Sequence, residues 1–157
     1  QEIDLAELTA ECVEVSRLRN HLSPEEMRIE NHFVSRDESV VRGELDELRT
    51  AITNLLENAV KYSPHQKLIK VVMISEGGQL MVRVADKGVG IPRSELKRIF
   101  KRFYRVPLRA IAKVKGTGLG LFIVRAIAER HGGAAWAESD GEGKGATVTI
   151  RLPRMRA

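Results

Sequence analysis

The stretch Asn54-Leu55-Leu56-Glu57-Asn58-Ala59-Val60-Lys61-Tyr62 carries two patterns on one predicted helix. Leu48, Ile52, Leu55, Leu56, Ala59 and Val60 recur at helical spacing and predict one broad apolar face. On the other side Asn54, Asn58 and Lys61 follow at steps of four and three and form a polar stripe. Asn is a poor filler for a merely solvated face. It competes for backbone hydrogen bonds and costs about half a kcal/mol relative to Ala. Two of them one turn apart, followed by Lys61 and Tyr62, would aim amide oxygens and a cation at a ligand; an ordinary solvated face is the alternative.

Working outward, this helix runs from about Leu45 to Tyr62, with Gly43 before it and Ser63-Pro64 as its stop. Lys67 to Ser75 and Gln79 to Ala85 read as a hairpin about Glu76-Gly77-Gly78. Upstream, a strand start at Gln1 to Ile3 leads into a helix capped by Asp4, with Leu5, Leu8, Cys12, Val15 and Leu18 on its face. Met27 to Val34 reads as a strand, with Ser39 to Arg42 a short partner. Downstream, Asp86 to Pro92 is a tight loop, and Ser94 caps a short helix reaching about Phe103. Tyr104 to Lys115 reads as a mobile loop. A helix from Thr117 to His131 then points Leu121, Val124, Ile127 and Ala128 inward, and Gly132-Gly133 ends it. Ala134 to Glu138 and Ala146 to Leu152 are the last strands. This order is not the strict βαβ alternation of a doubly wound domain. It predicts an α+β two-layer sandwich, with helices on one face of a mixed sheet of about five strands.

At 157 residues the chain fits one domain with a core of its own. Its 43% hydrophobic and 30% charged content is that of a globular protein, and no apolar run approaches the roughly 18 residues of a membrane span. A start without Met or a signal pattern reads as a piece of a longer protein, residues 1–157 forming one domain. The single Cys12 excludes an internal disulfide and suits a reducing, cytoplasmic setting. The net charge of +5 is modest, and a basic nucleic-acid binder is disfavoured because Trp136 and scattered Tyr and Phe residues are all that could stack. From Arg93 to Lys115, nine of 23 residues are Lys or Arg and only Glu95 is acidic, which favours an anionic ligand nearby.

Three glycine sites stand out. Asp86-x-Gly88-x-Gly90 follows a strand, so backbone can approach a flat ligand while Asp86 offers an acceptor. Gly116-Thr117-Gly118-Leu119-Gly120 opens a helix, where free N–H groups suit phosphate. Its spacing matches neither GxGxxG nor GxxxxGK[ST]. Read alone, the first leans to a tight turn with Asp86 as its first residue, while for the second a hinge leading into a capped helix is the weaker alternative. Gly141-Glu142-Gly143-Lys144-Gly145 reads best as a hairpin turn.

In this order the motifs resemble the catalytic, ATP-binding domain of bacterial sensor histidine kinases, within the Bergerat fold of the gyrase, mismatch-repair and heat-shock-chaperone ATPases. The resemblance rests on Asn54 to Ser63, Asp86 to Pro92, Ile99 to Arg105 and Gly116 to Leu121, and it covers nearly the whole chain. It implies ATP and Mg²⁺ as cofactors, with Asn58 the Mg²⁺ ligand, Asn54 beside it, Lys61 facing phosphate and Tyr62 near the base. Asp86 would accept from the adenine amino group, Gly88 and Gly90 would give the base room, and Ile91 would line its pocket. Arg102 and Arg105 would hold the γ-phosphate. Gly116, Thr117, Gly118, Leu119 and Gly120 would form the distal hinge of an ATP lid carrying Arg109, Lys113 and Lys115.

The hydrolytic relatives carry Glu at the position of Asn54, and an amide cannot serve there as general base. Glu57, the nearest carboxylate in sequence, is turned about 60° or more from the stripe. The resemblance therefore implies transfer to a protein side chain. None of His21, His32, His65 and His131 has the context of the phospho-accepting motif, so the acceptor would lie on a dimerisation domain outside this chain. The implied partners are that domain and a response regulator, with a homodimer in the full-length, membrane-anchored protein and this domain a monomer. Departures are Lys101, where an acidic residue is common, and Ala146, where Thr is common, with Thr147 next. An anti-sigma-type serine kinase and a non-catalytic ATP-sensing module are the competing readings.

Overall fold

The computed structural model describes residues 1–64, 67–105 and 120–155. Its elements run β1 (Glu2–Asp4), α1 (Leu5–Asn20), β2 (Met27–Asn31), β3 (Val40–Arg42), α2 (Leu45–Lys61), β4 (Ile69–Glu76), β5 (Gln79–Asp86), α3 (Gly120–Arg130), β6 (Ala134–Glu138) and β7 (Ala146–Pro153). The main sheet has the order β2-β4-β5-β7-β6. β2 and β4 are parallel, which requires a crossover, and α2 supplies it. The other three pairings are antiparallel, so the sheet is mixed and five-stranded.

Alternation along the strands decides where the core sits. Leu80, Val82 and Val84 of β5 and Val148, Ile150 and Leu152 of β7 are buried and share one face. The three helices close that face in a single cluster. α2 contributes Leu48, Ala51, Ile52, Leu55, Leu56, Ala59 and Val60, and α3 contributes Leu121, Val124, Ile127 and Ala128. Both faces are those the periodicity predicted, and the architecture is the expected α+β sandwich. Asp4 caps α1 as expected, its Oδ1 accepting the N–H groups of Ala6 (3.0 Å) and Glu7 (3.2 Å).

Four expectations need correction. The buried face of α1 is Leu5, Leu8, Thr9, Cys12, Val13 and Ser16, whereas Val15 and Leu18 are exposed. Successive steps of three carry a stripe about 60° back around the helix each time, so Leu18 ends nearly opposite Leu5. β2 stops at Asn31, and Val34 is exposed. β3 pairs with β1 in a separate two-stranded ribbon, not with β2. Finally, Ser94 makes no capping hydrogen bond. Pro92 leads into two 3₁₀ turns, Arg93–Glu95 and Arg98–Phe100, anchored by buried Ile99 and Phe100.

Candidate functional site

The flanks of α2 are claimed by its two neighbours. On one side Glu57 Oε1 accepts from Ser16 Oγ, Arg19 Nη1 and Asn20 Nδ2, each at 3.3 Å, and Arg49 pairs with Glu11 at 3.3 Å. That side faces α1. On the other side Glu47 pairs with Arg130 at 3.0 Å, and the Glu44 N–H donates to His131 Nε2 at 3.1 Å. The end of α3 therefore lies beside the start of α2, and the helices run antiparallel. At about 1.5 Å per residue, the Gly120 end of α3 falls beside the level of Asn58. Asn54 and Asn58, two and three turns on from Glu47, lie on this α3 side. Both are half-buried, and among the described residues neither side-chain amide makes a hydrogen bond. Lys61 is exposed and Tyr62 half-buried at the helix end.

The loop after β5 docks onto that helix end through backbone. The Tyr62 carbonyl accepts the Val89 N–H at 3.0 Å. A Cβ on Gly88 would sit 1.9 Å from the same oxygen, so only glycine allows the approach. Asp86 Oδ1 accepts from the Gly88 N–H at 2.9 Å and from the Ala146 N–H at 3.2 Å. Burial holds its carboxyl above the ordinary carboxylate range, although both N–H bonds pull the other way. Asp86, Gly88, Gly90 and Ile91 are thus one structural unit with the end of α2.

The third glycine stretch belongs to this unit, which its reading as a simple hairpin turn missed. Gly90 takes a left-handed φ of 74°, and a Cβ there would lie 2.1 Å from the Gly141 carbonyl. The Gly143 N–H donates to the Val89 carbonyl at 2.6 Å. Ser139 Oγ accepts the Ile91 N–H at 3.0 Å and reaches the Gly145 carbonyl at 2.6 Å. The loop is clamped between the end of α2 and the β6–β7 turn. The departure at Ala146 also acquires a meaning. Ala146 is opposite Asp86 in the ladder, while Thr147 alternates to the sheet face away from the helices and cannot replace a hydroxyl at 146.

The remaining expected residues are less gathered. The Arg102 guanidinium lies 5.2 Å from the ring centroid of exposed Phe103, and Tyr104 donates to Glu95. Arg105 is exposed. Gly116, Thr117, Gly118 and Leu119, with Arg109, Lys113 and Lys115 that the resemblance would place in a lid, lie outside the described residues, as does His65; Gly120 opens α3. His131 packs on Gly43, its Nδ1 donating to the Ile127 carbonyl at 2.8 Å. Among the described residues no three His, Cys, Asp or Glu side chains converge on a possible metal site, and no helix is long and apolar enough to cross a membrane.

Comparison with known proteins gives a concordant picture. Residues 43–156 match the family described as histidine kinase-, DNA gyrase B-, and HSP90-like ATPase. The chain is 40% identical over 110 residues to the sensor histidine kinase WalK of Bacillus subtilis, covering 69% of this chain and 18% of that one. It is 30% identical to the sensor-like histidine kinase SenX3 of Mycolicibacterium smegmatis, covering 95% of this chain and 44% of that one. The chain thus spans less than half the length of either relative. A solved structure of the mycobacterial sensor histidine kinase MprB superposes with a TM-score of 0.80 at 27% identity, over 100% of this chain and 99% of that one.

Proposed function

Since the chain belongs to the histidine kinase-, DNA gyrase B-, and HSP90-like ATPase family, we propose that it binds Mg-ATP and transfers the γ-phosphoryl group to a histidine. That histidine lies on a dimerisation domain outside this chain, in two-component signalling. The carrying observation is the polar stripe of α2: half-buried Asn54 and Asn58 stand without hydrogen bonds among the described residues, beside a loop fixed by Asp86 and Gly88. Glu57, the nearest carboxylate in sequence, is engaged by α1. The stripe then offers amides and Lys61 but no general base for water, which favours transfer over hydrolysis.

Asn58 fits a Mg²⁺ role. An unpaired amide oxygen is a hard donor, and Mg²⁺ keeps several waters and shares its shell with phosphate rather than requiring a protein cage. When bound, the ion would neutralise charge on the phosphates. The chain's own groups do the rest. Asp86 accepts from the adenine amino group, Ile91 and Tyr62 border the base, and Lys61, Arg102 and Arg105 face the phosphates. The N-terminus of α3, preceded by Gly116 to Leu119, offers its positive dipole end to the same anion. In this reading residues 1–157 are the catalytic part of a longer, membrane-anchored homodimer that hands the phosphoryl group to a response regulator.

The test is a titration with a fluorescent ATP analogue, with and without Mg²⁺, followed by incubation of the chain, ATP and a separately supplied dimerisation domain. Saturable Mg²⁺-dependent binding and labelling of the acceptor histidine are expected. Absence of nucleotide binding would overturn the reading, and binding without transfer would favour an ATP-sensing module.

A further inference from the structure

The helices cover one face of the sheet, and the opposite face carries its own constellation. Arg83 on β5, Thr149 on β7 and Trp136 on β6 lie in one row across three strands. Arg151 stands two residues along β7 from Thr149, opposite Met81. The Arg151 guanidinium lies 5.5 Å from the Trp136 ring centroid, and Arg83 Nη2 rests 3.9 Å from Met81 Sδ. We propose that this face is a docking surface for an acidic segment of a partner protein, with Trp136, Arg151 and Arg83 as its anchors.

Unmet charge carries the argument. Among the described residues neither arginine has a carboxylate partner, and the Nε–H of each is buried without an acceptor. The carboxylates of this face are engaged or remote. Glu138 accepts from Trp136 Nε1 at 3.2 Å, Glu30 is held by Lys70 at 3.3 Å and His32 at 3.2 Å, and Glu76 stands at the hairpin turn. Arg83 and Arg151 are diagonal cross-strand neighbours, with backbone positions about 7 Å apart, so two like charges share one patch and an anion between them is favoured. The Trp136 ring lies under one guanidinium, and the planar fork of an arginine matches a carboxylate bidentately. Beneath them Met81 is 5% exposed and Thr149 fully buried, giving a dry floor. Trp and Arg over such a floor are the residue types that dominate protein interfaces.

The surface favours discrete carboxylates over a polyanion. A continuous phosphate chain crossing it would run over Glu30 and Glu138, whereas single carboxylates can seat on the arginines between them. An apolar side chain alternating with those carboxylates would meet Met81. The plain alternative is that the arginine stems only roof the sheet.

Trp136 is the single tryptophan, so its fluorescence reads this face directly. The chain is titrated with an acetylated, amidated hexapeptide alternating Glu and Leu, with its Gln-Leu counterpart, and with inorganic phosphate. A saturable change with the acidic peptide is expected, about ten-fold or more weaker for the Gln peptide and for the Arg83→Gln/Arg151→Gln double variant. The Arg83→Lys/Arg151→Lys variant keeps stems and charge for roofing but loses the planar forks, and it too should bind more weakly. Binding of a fluorescent ATP analogue should be unchanged in both variants, which keeps this outcome separate from the proposed nucleotide site. No saturable change, equal binding of the Gln peptide, displacement by phosphate at equal concentration, or full binding by the double Gln variant would each overturn the proposal.

Discussion

A Cβ on Gly88 would lie 1.9 Å from the carbonyl oxygen of Tyr62, the same oxygen that accepts the Val89 N–H at 3.0 Å. Two chain segments that are remote in sequence, the end of α2 and the loop after β5, therefore meet as bare backbone. The polar stripe of α2 and the acceptor Asp86 are held in one frame by a contact with no side chain in it. Disturbing that contact should affect the site before it affects the core.

Gly88→Ala should cost about 2 kcal/mol by overpacking, because the facing atom is backbone and cannot rotate away. The loop has to retreat from α2, so nucleotide affinity should fall by more than the stability loss implies. Urea unfolding paired with an ATP-analogue titration measures both. An affinity equal to the parent's would show that the Gly88–Tyr62 contact does not set the site.

Asp86→Asn separates stability from binding. Its amide oxygen can still accept from Gly88 and Ala146, but its NH₂ then meets the adenine amino group donor to donor. Affinity should drop about ten- to a hundred-fold. Burial raises the Asp86 carboxyl above its ordinary 3.8, so the folded state holds the proton more tightly than the unfolded one. The resulting stability is fully present below the ordinary pKa and is lost as pH rises through the folded value. Parent stability relative to the variant should therefore fall as pH rises from about 4, then level off. Urea midpoints across that range would show it, and a flat difference would contradict the sign.

Ser139→Ala removes the acceptor of the Ile91 N–H and the link to the Gly145 carbonyl. A cost of about 1–3 kcal/mol is expected, together with faster amide hydrogen exchange at Ile91. Weakened nucleotide binding should accompany it, although Ser139 belongs to no motif of the resemblance.

The predictions differ in how visible their residues were in the sequence. The faces of α2 and α3 were legible because core contacts obey one period over three or more turns. Asp86, Gly88 and Gly90 were legible as a tight loop at a strand end, and their place beside α2 followed only from the order of the motifs in the resemblance. The Gly141–Gly145 stretch was legible as the hairpin turn it is, but its contact with Gly90 and the role of Ser139 were not, since both meet residues some 50 positions away and local composition cannot report a distant backbone contact. Val15 and Leu18 misled for the opposite reason: apolar residues at steps of three resemble a face but precess around the helix. The pairing of β3 with β1 likewise depends on where α1 returns the chain.

Asn58→Ala and Asn54→Glu test the stripe from opposite directions. Removing the Asn58 amide should abolish the Mg²⁺-dependent part of ATP binding and leave the Mg²⁺-independent part near the parent's. Both asparagines are half-buried without hydrogen bonds among the described residues, so neither change breaks a native bond there. Asn54→Glu restores a carboxylate where the hydrolytic relatives have one, able to take a proton from water. Phosphate release without an acceptor domain should rise about ten-fold or more, while Glu57→Gln should leave it unchanged, since Glu57 serves α1 through Arg19 and Asn20. A malachite-green assay on the three variants reads this directly. Unchanged release by Asn54→Glu would mean that the side chain at position 54 does not face the γ-phosphate.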